Sequence, residues 1–277
     1  MNKTAILLVC MGDKSSYVEM TKLAVNSLRT KGQYKGDILL FSDHPELFDF
    51  ADVRMVNVCE DEFLSRFPDL YNPNRHWGLL FRPFMGFYFD ATEYEQVLYL
   101  DIDVLCDRPL APILSAISKS HLHFTYAAAV SWLDESATTL DQRSPFLTKE
   151  FDISLLESSP IAQLSTSGVC SGVFGLYGSN FDDFMTPWRE LILYHYKKGN
   201  IICDQMAFNE CLLQKSIPGV AIPNKWIAYP LWGLVGREDL RDGKFLSGRS
   251  ILYHFNPMSA DTKLGYMKAF IAFGHLP

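Results

Sequence analysis

The chain has 277 residues, of which 48% are hydrophobic and 14% aromatic, which is ample apolar material for a globular core. Its 25 lysine and arginine residues are outnumbered by 32 acidic residues, and the net charge is -7. A protein with this balance has no overall basic field to collect phosphate backbones, so nucleic acid is excluded as an expected partner.

The cysteines indicate a reducing environment. There are six of them, and none forms a CxxC pair: Cys10, Cys59, Cys106, Cys170, Cys203 and Cys211. This spacing argues against a zinc knuckle and against a small disulfide-stapled domain. No apolar stretch approaches the ~20 residues of a transmembrane helix. We expect a cytoplasmic protein, and peripheral contact with the inner face of a membrane is compatible with this sequence.

The first half of the chain alternates between strand and helix patterns. A buried strand is predicted at AILLVC, a helix at YVEMTKLAVNSLRTK, and further strands at DILLFSD and VRMVNV. Strand, helix, strand in this order is typical of a parallel α/β sheet with crossover helices. An aromatic segment, LLFRPFMGFYF, is predicted to be helical and leads into the apolar run EQVLYLDIDVLC. That run is expected to be a central strand.

The second half is interrupted by an irregular region. Residues 131–165 are rich in serine, threonine, proline and acids, which predicts a surface-running insertion beside a binding cleft. After it, a strand is predicted at GVCSGVFGLYGS, helices at FDDFMTPWRELILYHYKKG and DQMAFNECLLQK, and a last strand at SILYHFN. The alternation continues without a repeat, which favours a single domain over residues 1–277.

Two acidic residues, Asp101 and Asp103, close the apolar run LYLDIDVL. Acids at positions i and i+2 of an extended strand point to one face, so both could meet one divalent cation. Oxygen ligands suit Mg²⁺ or Mn²⁺, which keep open positions for phosphate oxygens. The alternative is that the pair only ends a strand and accepts hydrogen bonds from turn amides.

The local pattern fits two classes of enzyme. Haloacid-dehalogenase-type phosphatases carry DxDx[T/V] after an apolar strand, with the first aspartate, here Asp101, as the nucleophile. That motif usually opens the domain, whereas nearly a hundred residues precede it here. The second class is that of metal-dependent nucleotide-sugar transferases.

Five blocks in order support the second class. They are FRPFMGFYF, VLYLDIDVLC, CSGVFGLYGSNF, CDQMAFNECL and LYHFN. Together they resemble glycosyltransferase family 8, the group that includes glycogenin and the bacterial lipopolysaccharide galactosyl- and glucosyltransferases. Two features depart from that family: Cys170 stands where the family has asparagine, and the C-terminal block HFNPMSADTK lacks a glycine and places Lys263 three residues late.

The resemblance implies a GT-A fold, with a single Rossmann-like mixed sheet flanked by helices. It also implies a retaining hexosyl transfer from a UDP-sugar, with Mn²⁺ or Mg²⁺, to a saccharide or lipid-linked glycan acceptor, the acceptor lying beside the 131–165 insertion. A catalytically silent nucleotide-sugar-binding protein with the same fold is the alternative of a different class.

The resemblance assigns a metal site to Asp101, Asp103 and His254. A cation there would neutralise the departing diphosphate. Arg82 and Lys263 would add positive charge beside it. The alternatives are a hydrogen-bonded core histidine for His254, a helix-packing arginine for Arg82, and a solvated helix position for Lys263.

The resemblance also assigns residues to the donor. Tyr17 would stack on the base, and Cys10, at the end of the first strand, would meet the nucleoside. Asp204 and Gln205 would lie near the sugar, although Asp204 is also well placed as a helix cap. A covalent intermediate needs a nearby carboxylate. Gln205 is a poor nucleophile. A same-face route, in which the diphosphate helps to deprotonate the acceptor, is therefore the alternative to a covalent intermediate.

Overall fold

The computed structural model describes residues 3–72, 76–126, 169–198, 204–213, 219–223, 226–230, 247–255 and 258–274. The predicted insertion at 131–165 lies outside the described residues.

The strands and helices that the sequence predicts occur in the predicted order, and the structure has further ones that were not predicted. The helices are α1 (Ser15–Thr30), α2 (Glu60–Arg66), α3 (Ala111–Ala116), α4 (Phe181–Lys197), α5 (Asp204–Leu213) and α6 (Ala260–Phe273). The strands are β1 (Thr4–Cys10), β2 (Asp37–Ser42), β3 (Arg54–Asn57), β4 (Gln96–Leu100), β5 (Val104–Cys106), β6 (Leu122–Tyr126), β7 (Val169–Tyr177), β8 (Gly219–Ala221), β9 (Ile227–Ala228) and β10 (Leu252–His254).

Within the described residues, the main sheet has seven strands in the order β3-β2-β1-β4-β7-β6-β8. Strands β3, β2, β1 and β4 are parallel, β7 is antiparallel to β4 and β6, and β8 is parallel to β6. The predicted mixed α/β sheet with β4 at its centre is therefore confirmed. Every residue of β4 is buried, which is why its sequence is a continuous apolar run and does not alternate.

The core lies on both faces of this sheet. On the face covered by α4 and α5, aromatic rings pack edge-to-face and tilted around Phe174 of β7, with Phe184, Trp188 and Phe208 as neighbours. The other face is covered by α1 and α3 through aliphatic residues such as Val25 of α1. Because helices cover both faces of the sheet, its strands are held in place, and the carboxyl ends of the parallel strands lie together at one edge.

The acidic motif does not continue the central strand. Strand β4 ends at Leu100, and the amide of Val104 donates to the carbonyl of Asp101 (3.1 Å), which closes a turn. The prediction of two acids on one face of an extended strand is therefore wrong in its local geometry. The turn passes the chain from the main sheet into a second sheet of order β5-β10-β9, which the sequence analysis does not predict.

The aromatic segment before β4 is helical, as predicted, but it consists of two short 3₁₀ helices, Trp77–Leu80 and Arg82–Phe87. Pro83 lies in the first turn of the second one, where its missing N–H costs no hydrogen bond. The Phe81 and Phe84 rings of this segment are buried, whereas Phe87 is 37% exposed. Their packing holds the Arg82 backbone against the sheet.

Five of the six cysteines are described, and each of these is a free thiol. Within the described ranges, no helix has both the length and the apolar character required to cross a membrane.

We predict that Phe174→Ala lowers the free energy of unfolding by about 3–5 kcal/mol, because it leaves a cavity where four aromatic rings meet. Urea denaturation followed by far-UV circular dichroism measures this change. Phe273→Ala is the matched control: Phe273 is 70% exposed at the end of α6, so its removal should change the free energy by no more than about 0.5 kcal/mol. Equal losses in the two variants would contradict the assignment of the core.

Candidate functional site

Three side chains converge at the turn between the two sheets. Asp101, Asp103 and His254 each offer one ligand atom, and these atoms lie within 4.8 Å of one another. Nε2 of His254 is 3.1 Å from Oδ1 of Asp103 and 3.7 Å from Oδ2 of Asp101. The second sheet makes this possible, because β10 runs antiparallel to β5 with His254 opposite Val104. Pairing of three residues of β10 with β5 thus brings together side chains that lie about 150 residues apart in the sequence.

Buried charges of opposite sign balance in this cluster. Asp103 and His254 are only 5% and 1% exposed, and Nζ of Lys263 is 2.6 Å from Oδ2 of Asp103. Burial alone would raise the pKa of Asp103, but His254 and Lys263 hold it well below its usual range. Burial would likewise lower the pKa of His254, but Asp103 raises it to about 10. The cluster therefore keeps Asp103 negatively charged and keeps His254 and Lys263 positively charged.

The chemistry of the donor set fits a divalent cation. Oδ1 of Asp103 and Nε2 of His254 are buried and face each other at 3.1 Å without hydrogen-bonding geometry, and within the described part of the chain neither has another hydrogen-bond partner. Buried polar atoms are rarely left so. Two carboxylates and an imidazole are ligands that Mn²⁺ accepts readily and Mg²⁺ accepts through the oxygens. These three residues would hold such an ion.

Gly172 of β7 lies against the same cluster. Its carbonyl accepts a hydrogen bond from the amide of Asp101 (2.8 Å). A Cβ at this position would collide with the Asp101 carboxylate and with Cε1 of the His254 ring. The glycine is therefore required by close approach of the strand to the site. Sequence analysis placed this residue in a strand block without assigning it a role.

Arg82 lies beside the cluster and connects it to α5. Its Nη1 is 3.6 Å from Oδ1 of Asp101 and donates to Oγ of Ser171 (2.8 Å), while its Nε is 2.9 Å from Oδ2 of Asp204. Burial would lower the pKa of Arg82, but the two carboxylates outweigh it and raise the pKa. Arg82 is thus a fixed positive charge at the site, in addition to its packing in an aromatic segment.

The start of α5 lies on the far side of Arg82. Oδ1 of Asp204 accepts from the amide of Gln205 (2.9 Å), and the Asp204 carbonyl accepts from Nε1 of Trp188 (2.8 Å). Oε1 of Gln205 accepts from the amide of Ser171 (3.3 Å). Asp204 therefore both bonds a first-turn amide and pairs with Arg82. Ser171, which links Arg82 to Gln205, was missed by sequence analysis, although its neighbour Cys170 drew attention to the block.

A cleft of about 530 Å³ begins at the acids and extends along the ends of β1 and β2. Asp101 and Asp103 line it together with Lys263 and Tyr17. Gly12 lies at its floor with a φ of +87°, and its amide donates to Oδ1 of Asp43 (2.8 Å). The volume is that of a pocket for a small organic ligand.

Cys10 does not line this cleft. Its side chain is 1% exposed and belongs to the core under α1, where burial raises the pKa of the thiol to about 11. Alternation along β1 explains the difference, because Val9 and Met11 face the cleft and Cys10 faces the opposite side. The prediction that Cys10 contacts the nucleoside is therefore wrong for its side chain.

Lys14 lines the cleft from the start of α1, and sequence analysis gave it no role. Its Nζ is 3.1 Å from Oδ2 of Asp261 in the first turn of α6. This surface ion pair and Lys263 bring the amino-terminal ends of α1 and α6 to the same side of the cleft.

Comparison with solved structures identifies this fold. The crystal structure of the galactosyltransferase LgtC in complex with donor and acceptor sugar analogues matches 96% of this chain and 95% of its own, with a TM-score of 0.59 and 14% sequence identity. No protein-family model and no curated protein matches the sequence. The match confirms the predicted resemblance at the level of the fold: the chain has the GT-A fold of a glycosyltransferase.

Proposed function

We propose that the protein is a metal-dependent, retaining glycosyltransferase that moves a hexose from a UDP-sugar to a saccharide or lipid-linked glycan. The observation that carries this proposal is the convergence of Asp101, Asp103 and His254 at one end of the cleft. The site lies beyond the carboxyl end of the central strand, where open α/β sheets bind ligands. A galactosyltransferase of the same fold, solved with donor and acceptor sugar analogues, supports a sugar donor and a sugar acceptor.

The chain's own residues supply the positive charge that a diphosphate leaving group requires. A Mn²⁺ or Mg²⁺ ion held by the two aspartates and His254 would supply Lewis-acid stabilisation of that group. Lys263 lines the cleft and is only partly buried, so its ammonium group can turn toward a phosphate oxygen. This supports the diphosphate-binding role, even though Lys263 comes three residues later than in the resembling family.

Arg82 would act on the sugar side of the diphosphate. Its guanidinium is held by Asp101, Asp204 and Ser171, so it is oriented before the substrate binds and costs little reorganisation. Asp204 and Gln205 would lie near the sugar ring. Asp204 is paired with Arg82 and is 5% exposed, which makes it a weak nucleophile. We therefore favour the same-face route, in which the diphosphate oxygen accepts the acceptor proton.

Tyr17 lines the same cleft as the acids, and its aromatic ring there supports stacking on the nucleotide base.

The phosphatase alternative is disfavoured by position, because the motif follows the fourth strand and occupies a turn between two sheets. In addition, Oδ1 of Asp101 accepts a hydrogen bond from the Tyr99 hydroxyl (2.7 Å), which reduces the nucleophilicity of the carboxylate.

The metal ligands can be tested by removing one charge. We predict that Asp103→Asn reduces Mn²⁺-dependent binding of UDP below detection, because one ligand is lost and Lys263 is left without its carboxylate. Isothermal titration calorimetry with and without Mn²⁺ measures this. Asp49→Asn, which changes an exposed aspartate, should bind UDP as the unaltered protein does. Undiminished metal-dependent binding by Asp103→Asn would rule the assignment out.

The reaction itself can be tested without knowing the acceptor. Because transferases often lose the sugar to water when no acceptor is present, a panel of UDP-hexoses incubated with Mn²⁺ should release UDP from at least one member. Chromatography of the nucleotides measures the release. Binding without release across the panel would favour the silent binding protein, and hydrolysis of a simple phosphomonoester with Mg²⁺ would favour the phosphatase.

The close approach at β7 gives a third test. We predict that Gly172→Ala weakens Mn²⁺ binding at least about tenfold, because the added methyl group displaces two metal ligands. Gly265→Ala is the matched control: a Cβ at Gly265 meets nothing within 4 Å, and α6 should gain about 0.5–1 kcal/mol of stability. Manganese titration followed by electron paramagnetic resonance compares the two variants. Equal affinities would show that Gly172 does not shape the site.

A further inference from the structure

The imidazole of His254 makes contacts on both of its nitrogen atoms. Nε2 faces the carboxylates of Asp101 and Asp103. Nδ1, on the opposite side of the ring, is 3.6 Å from Sγ of Cys170, which is within hydrogen-bonding distance for sulfur. Both His254 and Cys170 are almost fully buried. Among the described residues, this thiol is the hydrogen-bond partner of Nδ1.

The sulfur is already oriented as an acceptor. The amide of Gly172 lies 3.4 Å from Sγ of Cys170, and an amide N–H can only donate. One lone pair of the sulfur therefore faces the Gly172 amide, and its second lone pair is available to a donor on His254. When a cation binds at Nε2, the imidazole is neutral and its proton lies on Nδ1, from which it can be donated to the sulfur.

Neighbouring groups prevent the ring from turning. The ring of Tyr229 packs against the imidazole, with 5.4 Å between centroids and 40° between planes. The Tyr229 hydroxyl is itself fixed, since it donates to Oγ1 of Thr125 (2.9 Å). Gly172 closes the edge that carries Cε1. The orientation of His254 is therefore set by packing, and its tautomer is decided by the group that faces Nδ1.

We propose that Cys170 is a positioning residue that fixes the metal-binding tautomer of His254. Metal-ligating histidines usually donate their second N–H to a carboxylate, a carbonyl group or water, and here a buried thiol takes that place. This inference rests on the proposed function. The Cys170 side chain faces His254 and is not among the described residues that line the cleft.

The consequence is a specific loss of metal affinity. Removing the partner of the second nitrogen of a metal-bound histidine typically weakens metal binding about 10–100-fold. Cys170→Ala should therefore weaken Mn²⁺ binding by about this factor. Cys170→Ser retains an acceptor of similar shape and should restore most of the affinity. Cys211→Ala, which removes a different buried thiol, should leave the affinity unchanged.

The experiment is a Mn²⁺ titration of the four proteins, followed by the electron paramagnetic resonance signal of the free ion. Thermal unfolding of each variant controls for loss of structure. A second readout reports the tautomer directly: long-range ¹H–¹⁵N correlation spectra of histidine-labelled protein with UDP and Zn²⁺, a diamagnetic ion that imidazole binds, should show His254 protonated at Nδ1. In Cys170→Ala, a larger share of His254 should stay metal-free at the same Zn²⁺ concentration, because the affinity is lower.

The outcomes separate this inference from the function on which it rests. If the unaltered protein binds no Mn²⁺, the proposed function and this inference are both overturned. If it binds Mn²⁺ and Cys170→Ala binds equally well, only the role of Cys170 is overturned. If Cys170→Ala does not fold, the spectrum of the unaltered protein decides, because a His254 protonated at Nε2 in the presence of saturating Zn²⁺ contradicts the proposal.

Discussion

The burial of Asp103 against His254 and Lys263 is the constraint on which this architecture depends. A carboxylate that is 5% exposed cannot keep its charge without partners, because desolvation of an isolated ion costs several kcal/mol. Its two partners come from β10 and α6, at the other end of the sequence. The carboxyl-terminal part of the chain must therefore return to the centre of the fold for the acidic turn to be buried.

The second sheet is the means of this return. Strand β10 pairs with β5 over three residues, and the amide of Phe255 donates to the carbonyl of Asp103 (2.9 Å). The backbone and the side chain of Asp103 are thus both held by the same returning segment. Strand β7 closes the arrangement from the main sheet, where only a glycine at position 172 leaves room for the ligands. The candidate ligands therefore come from the turn after β4 and from β10, and β7 packs against them.

Charge continuity links this turn to the rest of the cleft. Arg82 contacts Asp101 on one side and Asp204 on the other. Asp101, one of the three candidate metal ligands, therefore also helps to orient the start of α5. Lys263 continues the positive charge toward Lys14, whose partner Asp261 lies in the same helical turn as Lys263. A cationic rim around an acidic centre is the electrostatic form that suits a metal-bound diphosphate.

The sequence by itself determined the order of strands and helices, the mixed α/β class and the acidic pair, because these depend on local periodicity and composition. The resemblance of five blocks added the GT-A fold and the assignment of Asp101, Asp103 and His254, which the structure brings together. Neither the sequence nor the resemblance could determine the turn at Asp101, the second sheet or the direction of the Cys10 side chain. The second sheet depends on pairing between segments about 150 residues apart, and the direction of Cys10 depends on which face of β1 meets the cleft. Both are decided by burial and backbone hydrogen bonding in the folded chain. The thiol of Cys170 under His254 and the linkage through Ser171 are of the same kind: a sequence shows which groups are present, but only tertiary structure decides which atoms face each other.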